Sequence, residues 1–304
     1  SSIRQDDKGF LVGSAMIGFF AASLILLVDG YFNGAITSFF NNARPSAVGI
    51  FWLNAPVAIL AICVWPIAMF LWHRFNFLAA LGCFLLTVVI AILIEYQSVQ
   101  FAILLSMLFA IITYFANRKV IVLISTLIAA AIFLMPVGAK YFVDAPELAK
   151  IEQISKPAVH RFHIWQFTGN KIGLHPIRGH GMNAARVMPG GKQLAIDETR
   201  GDYGQLLPLH PHNASLQVWL ELGLPGALLF AAIVVLVFLK LALSQQDKIT
   251  RAFQAGQFML ILILSHLSFG IWQSWFLTAI WFGVFLNLLL SRNRPPTSSV
   301  AVAK

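Results

Sequence analysis

The run His210-Pro-His212-Asn213, continuing Ala214-Ser-Leu-Gln-Val-Trp-Leu-Glu-Leu-Gly223-Leu-Pro-Gly226, joins two imidazoles and a carboxamide on a Pro-stiffened stretch where a polar segment meets an apolar one. Imidazole has the ordinary pKa nearest neutrality, so this position suits proton transfer. Six of the eight histidines (160, 163, 175, 180, 210 and 212) fall in the same polar segment. Such a concentration raises metal binding, but His210-x-His212 and His160-x-x-His163 lack a carboxylate or cysteine at familiar ligand spacing, and no His-Glu-x-x-His element occurs. No Gly-x-Ser-x-Gly elbow accompanies Ser215, which leaves a serine hydrolase without its nucleophile signature. General acid/base work remains. Arginines are its natural electrostatic complement, because a guanidinium grips phosphate oxygens in bidentate fashion. Arg161, four residues before Trp165 on one helical face, Arg186 before a Pro-Gly-Gly turn, and Arg44 in Asn41-Asn-Ala-Arg-Pro are the candidates. Together a base and cations of this kind fit transfer from a lipid-linked phosphate or diphosphate donor.

The elements that must hold these residues are set by composition. Of 304 residues, 59% are hydrophobic and 11% charged, and mean hydropathy is +0.79; soluble domains carry roughly 25% charged residues. The chain reads as an all-α integral membrane protein, a polytopic bundle of eight spans: Phe10–Val28, Val48–Leu71, Phe75–Ile94, Val99–Phe115, Val120–Gly138, Val218–Leu241, Ala252–Trp272 and Trp275–Leu290. The stretch Tyr31–Asn42 reads as an interfacial or re-entrant piece. Cys63 and Cys83 lie in apolar runs and suggest buried thiols, not a disulfide framework.

With the N-terminus inside, the short inner loops and ends collect Arg4, Lys8, Arg74, Arg118, Lys119, Lys240, Lys248, Arg251, Arg292, Arg294 and Lys304, while the outer short loops hold only Arg44. By the positive-inside rule, both ends are cytoplasmic and the long loop lies outside. Three segments follow: spans one to five over 1–138, an outer loop over 139–217, and spans six to eight with the tail over 218–304. The net charge of +9 is explained by topology; no basic stripe with interleaved aromatics suggests nucleic acid. In the loop, Pro157 fits the first turn of a helix, and a second helix starts near Asn213 and runs into the sixth span, with Asn213 a candidate N-cap.

This pattern resembles a known family. His212-Asn213, nine residues, Gly223, two residues, Gly226 is similar to the His-Asn-x9-Gly-x-x-Gly signature of the O-antigen ligase and polymerase superfamily. Arg161-Phe-His-Ile-Trp165 and His175-Pro-Ile-Arg-Gly-His-Gly-Met-Asn-Ala-Ala-Arg186 resemble the loop motifs of its alphaproteobacterial branch. The resemblance implies a GT-C-like glycosyltransferase of the bacterial inner membrane with a large helical periplasmic loop bearing the active site. It also implies about four N-terminal spans beyond this chain, since members usually have ten or more. Such a ligase takes glycan from undecaprenyl diphosphate and joins it to lipid A–core, inverting, without metal or nucleotide cofactor. His212 would be the base; Arg161, Arg186 and Arg44 would hold the donor diphosphate. His210, Asn213, Gln217, Glu221 and Trp165 would orient the base or bind sugar. At Glu95-Tyr-Gln-Ser98 the chain departs from the Thr-x-Ser-Arg-Gly-like element common in relatives.

A polysaccharide polymerase shares fold and motif and differs only in its acceptor, a second lipid-linked glycan. A transporter of anionic solutes is the reading from a different class. The spans carry almost no ionisable group beyond His266 and show no internal repeat, which speaks against it.

Overall fold

The computed structural model of the chain describes residues 5–42, 52–141, 156–197 and 201–291. Among these, the helices are α1 (Gln5–Tyr31), α2 (Ala35–Phe40), α3 (Asn54–Arg74), α4 (Phe77–Leu93), α5 (Gln97–Phe115), α6 (Arg118–Ala139), α7 (Lys156–Ile172), α8 (Ala214–Ala242), α9 (Lys248–Leu267) and α10 (Ser274–Ser291). Six of them, α1, α3, α5, α6, α8 and α10, are long and apolar enough to cross a bilayer. Helix α4 is as apolar but shorter, and α9 opens on Lys248 and Arg251. The eight expected spans all appear as helices, and the chain is a multi-pass membrane protein. Asn76 and Asn117 cap α4 and α6 by accepting from the amides of Ala79 (3.0 Å) and Val120 (3.1 Å), which explains where these helices begin.

Two expectations change. The seventh span does not run to Trp272: α9 ends at Leu267 and Ser268–Gln273 forms an irregular strap. Here the Ile271 amide donates to the Gln217 side chain instead of continuing a helical ladder. The loop also contains a small antiparallel hairpin, β1 (Leu194–Asp197) with β2 (Gly201–Gln205), so it is not wholly helix and turn. The stretch after Tyr31 contains α2, whose first turn is held by the carboxylate of Asp29 accepting from the Ile36 amide at 2.7 Å.

The chain forms two compact units. The first comprises the helices up to Phe115 with Gln245–Leu264 and the helix from Ser274. Within it, α3 is the most enclosed span and packs against α4 and α10. The second comprises Ala116–Ser244 and Ser265–Gln273. Here α8 packs against α6 and α7, around a core that includes Ala139, Ile164, Trp165, Leu207, Leu216 and Leu220. The Trp219 indole donates to the Ile132 carbonyl at 3.0 Å and ties α8 to α6. All the loop histidines lie in this second unit.

Candidate active site

The site is built where α8 begins. Asn213 is extended, and its carboxamide oxygen accepts from the Leu216 amide at 3.0 Å, so it caps the helix. His212, one residue earlier, has φ 51°, a left-handed conformation that costs a non-glycine residue about 1–3 kcal/mol. Two contacts hold it there. Its amide donates to Nδ1 of His210 at 3.2 Å, and its own Nδ1 lies 2.6 Å from the carbonyl oxygen of Ser268. A carbonyl can only accept, so Nδ1 of His212 carries the proton and Nε2 of the neutral ring holds the lone pair. The same logic puts the proton of His210 on Nε2, because its Nδ1 accepts. The two rings lie with centroids 4.2 Å apart.

Both imidazoles are held neutral. Burial, then His212, then the Arg186 guanidinium push His210 down to about 3. For His212, burial is again the largest cause; the Ser268 carbonyl favours the protonated form, while Arg161 and His160 oppose it, leaving a value of about 4. Each arginine therefore acts electrostatically on one ring: Arg161, half-buried on α7, on His212, and the exposed Arg186, in a 3-10 turn over Ala184–Val187, on His210. Trp165, one turn beyond Arg161, donates its indole N–H to the Pro211 carbonyl at 2.9 Å and so fixes the His-Pro-His backbone against α7. His160 donates Nε2–H to the Gln205 carbonyl at 2.8 Å, binding the hairpin to the same helix. Arg44 lies outside the described residues.

Gln217 and Glu221 make no hydrogen bond to the His212 ring; they hold the strap that does. Gln217 Oε1 accepts from the Ile271 amide at 3.0 Å, and its Nε2 donates to Glu221 Oε1 at 3.3 Å. Glu221 is 1% exposed, and its Oε2 accepts from the Trp272 indole at 2.5 Å and from the Asn183 amide at 2.9 Å. All three partners donate, the complement that an acceptor-only carboxylate requires. One buried side chain thus joins the strap bearing Ser268 to the turn that leads into Arg186. Gly270 lies against His210, where a Cβ would come within 3.0 Å of the ring. Ser268, Ile271 and Trp272 were not legible as site residues, because two of the three contribute backbone groups that any residue type could supply.

The spaced glycines have a structural duty. At Gly223 (φ 64°, ψ −153°) α8 breaks, and Pro225 has no amide to return. The carbonyls this frees accept from the loop: His180 N–H donates to Leu220 (2.8 Å) and Gly181 N–H to Glu221 (2.9 Å), while Leu224 N–H donates to Pro176 (2.9 Å). A Cβ on Gly223 would meet the Ile177 carbonyl at 2.3 Å, and one on Gly179 the Glu221 carbonyl at 2.5 Å, so both backbones require glycine. His180 also donates Nε2–H to the Lys171 carbonyl at 2.8 Å, with the His175 ring beside it. His266 shares a hydrogen bond of 2.8 Å with Ser215. Among the described residues, no three His, Cys, Asp or Glu side chains gather as a metal-binding group.

Comparison with known proteins agrees on one family. Residues 82–231 match the family model described as O-antigen ligase. A protein of Rickettsia prowazekii (strain Madrid E) whose name classes it as a polysaccharide ligase is 30% identical over 292 residues, covering 92% of this chain and 68% of its own length. Similarly named proteins of Rickettsia typhi (strain ATCC VR-144 / Wilmington) and Rickettsia conorii (strain ATCC VR-613 / Malish 7) are 30% and 28% identical, over 92% and 90% of this chain and 68% and 66% of theirs. No solved structure matches.

Proposed function

Because the chain belongs to the O-antigen ligase family and is a glycosyl-transferring membrane enzyme, we propose that it joins glycan from undecaprenyl diphosphate to lipid A–core, with His212 as base. The observation that carries this reading is the one-sided commitment of His212: Nδ1–H to the Ser268 carbonyl, and an Nε2 lone pair with no hydrogen bond to the described residues. In this mechanism an acceptor hydroxyl gives its proton to Nε2 as its oxygen attacks the anomeric carbon. The bond from that carbon to the diphosphate oxygen breaks with inversion, and the electron pair leaves on the diphosphate. Arg161 and Arg186 stabilise the departing anion, with Arg44 as a third cation. No metal or nucleotide takes part.

The arginines also link donor binding to basicity. In the free protein Arg161 opposes protonation of His212. A diphosphate bound between them offsets that field, so the imidazole becomes a stronger base once the donor is seated. The site would face the periplasm from the inner membrane, consistent with the charge bias of the short loops.

The test is reconstitution of the purified protein with synthetic undecaprenyl-diphosphate glycan and a lipid A–core acceptor. His212→Ala should lower turnover by about 10²–10⁴-fold; unchanged turnover would remove the base assignment. Arg161→Ala and Arg186→Ala should each weaken donor binding by about 1.5–3 kcal/mol, read as a higher donor KM. Product formed only with a second lipid-linked glycan as acceptor would replace the ligase reading by the polymerase one.

A further inference from the structure

Helix α8 changes surroundings at its break. Before Gly223 nearly every residue is enclosed by protein, including Ala214, Leu216, Leu220 and Glu221. After it, Leu224, Leu228, Leu229, Ile233 and Leu236 are exposed, an apolar stripe that in a membrane span faces lipid. The break is therefore the edge of the exposed apolar stripe on α8. The turn hydrogen-bonded to that edge, through Leu224 N–H to the carbonyls of Pro176 and Ile177, carries Leu174 and Ile177, which are 64% and 71% exposed. Arg178 follows, exposed and with no hydrogen bond or ion pair to the described residues. From residue 156 to 196 the chain has six Lys or Arg and no Asp or Glu.

We infer that the Leu174–Arg178 turn is a lipid-contact site at the membrane surface: Leu174 and Ile177 enter the acyl boundary, and Arg178 pairs with the phosphate of an anionic lipid headgroup. An apolar pair set beside the lipid-facing stripe continues that surface into the interface. An arginine flanking it can snorkel to phosphate depth and hold the oxygens in bidentate fashion. This stretch has no carboxylate of its own, and Glu221, which packs against it, is 1% exposed with its oxygens taken by three donors, so no exposed acid on the stretch itself competes with, or repels, an anionic surface. The inference is independent of the glycan-transfer chemistry.

The full chain carrying Ile177→Cys, labelled with an environment-sensitive fluorophore and reconstituted in phosphatidylcholine vesicles, provides the test. Lys192→Cys, an exposed position in the turn before β1, serves as the aqueous reference. Cys63 and Cys83 are buried and stay in place, with the parent chain as blank. Doxyl-bearing lipid should quench the label at 177 severalfold more than that at 192, and aqueous iodide the reverse. Phosphatidylglycerol should deepen the protection at 177, and Arg178→Glu should abolish that response. Equal iodide access at 177 and 192 would overturn lipid contact. A response to phosphatidylglycerol that is absent, or that survives Arg178→Glu, would overturn headgroup pairing. Neither position is packed in the core, so these variants fold as the parent does, and the readout requires no turnover.

Discussion

An imidazole with an ordinary pKa near 6.5 is half protonated in mildly acidic buffer, whereas burial, Arg161 and His160 hold His212 at about 4. Only the neutral ring can accept a proton. In the proposed mechanism kcat/KM should therefore stay level as pH falls through 6.5 and drop only towards pH 4. The acid limb of kcat should lie higher than that of kcat/KM, because kcat reports the donor-bound form and the diphosphate offsets Arg161. A pH–rate series settles both, and a kcat/KM limb at 6.5 would remove His212 from the free enzyme's essential groups. Stability follows the same sign. An unfolded chain takes up these protons near 6.5 while the folded one resists, so stability declines as pH falls from about 6.5 towards 4. At this scale residue type was informative: two histidines, an N-capping asparagine and two arginines stood out from their chemistry. What residue types could not show was the partner of Nδ1, since a Ser268 carbonyl is identical to every other peptide carbonyl.

Among the elements, the strap and the broken helix carry consequences that a spacing pattern hides. Glu221 binds the strap and the turn before Arg186 together. Glu221→Gln places an amide N–H₂ opposite one or more of three donors, and a buried donor left without its acceptor costs about 1–3 kcal/mol. The variant should melt lower and lose turnover. Its kcat/KM acid limb should also move, since release of the strap alters both the burial that holds His212 down and the Ser268 carbonyl that favours its protonated form. A purely structural role would lower the melting point and leave the limb in place. Gly223→Ala tests the break itself. With φ 64° and a Cβ forced against the Ile177 carbonyl at 2.3 Å, it should lose at least about 1–3 kcal/mol, measured by thermal unfolding in detergent. The paired glycines were legible in the sequence as a pattern. Their role became clear only with the loop carbonyls and amides that meet across them, because contacts between residues 176–181 and 220–224 are set by the fold and not by local propensity.

For the whole molecule, hydropathy foretold the eight helices well, six of them long and apolar enough to cross a bilayer, because a bilayer admits few alternatives to the helix. It misjudged the end of α9, where apolar residues continue past the point at which the backbone turns aside to meet Gln217. The proposed orientation predicts that a cysteine introduced at Lys192 reacts with a membrane-impermeant maleimide in cells with a permeabilised outer envelope, while one at Lys119 reacts only after lysis. The opposite pattern would reverse the topology. The first unit holds one more feature with reach. Gln257 on α9 donates to the carbonyls of Ile62 (3.2 Å) and Gly283 (3.0 Å), and accepts from Asn287 Nδ2 (2.8 Å) on α10. Gln254 Nε2 closes the set by donating to Asn287 Oδ1 at 2.9 Å. During synthesis, Gln254 and Gln257 reach the bilayer before Asn287 exists, so their amides must wait for α10 with only part of this set in place. Helices α9 and α10 can therefore clasp α3, made some 195 residues earlier in sequence, only once Asn287 has been made. That ordering ties completion of this contact to Asn287: until it is made, Gln254 and Gln257 each lack one of the partners they hold in the fold.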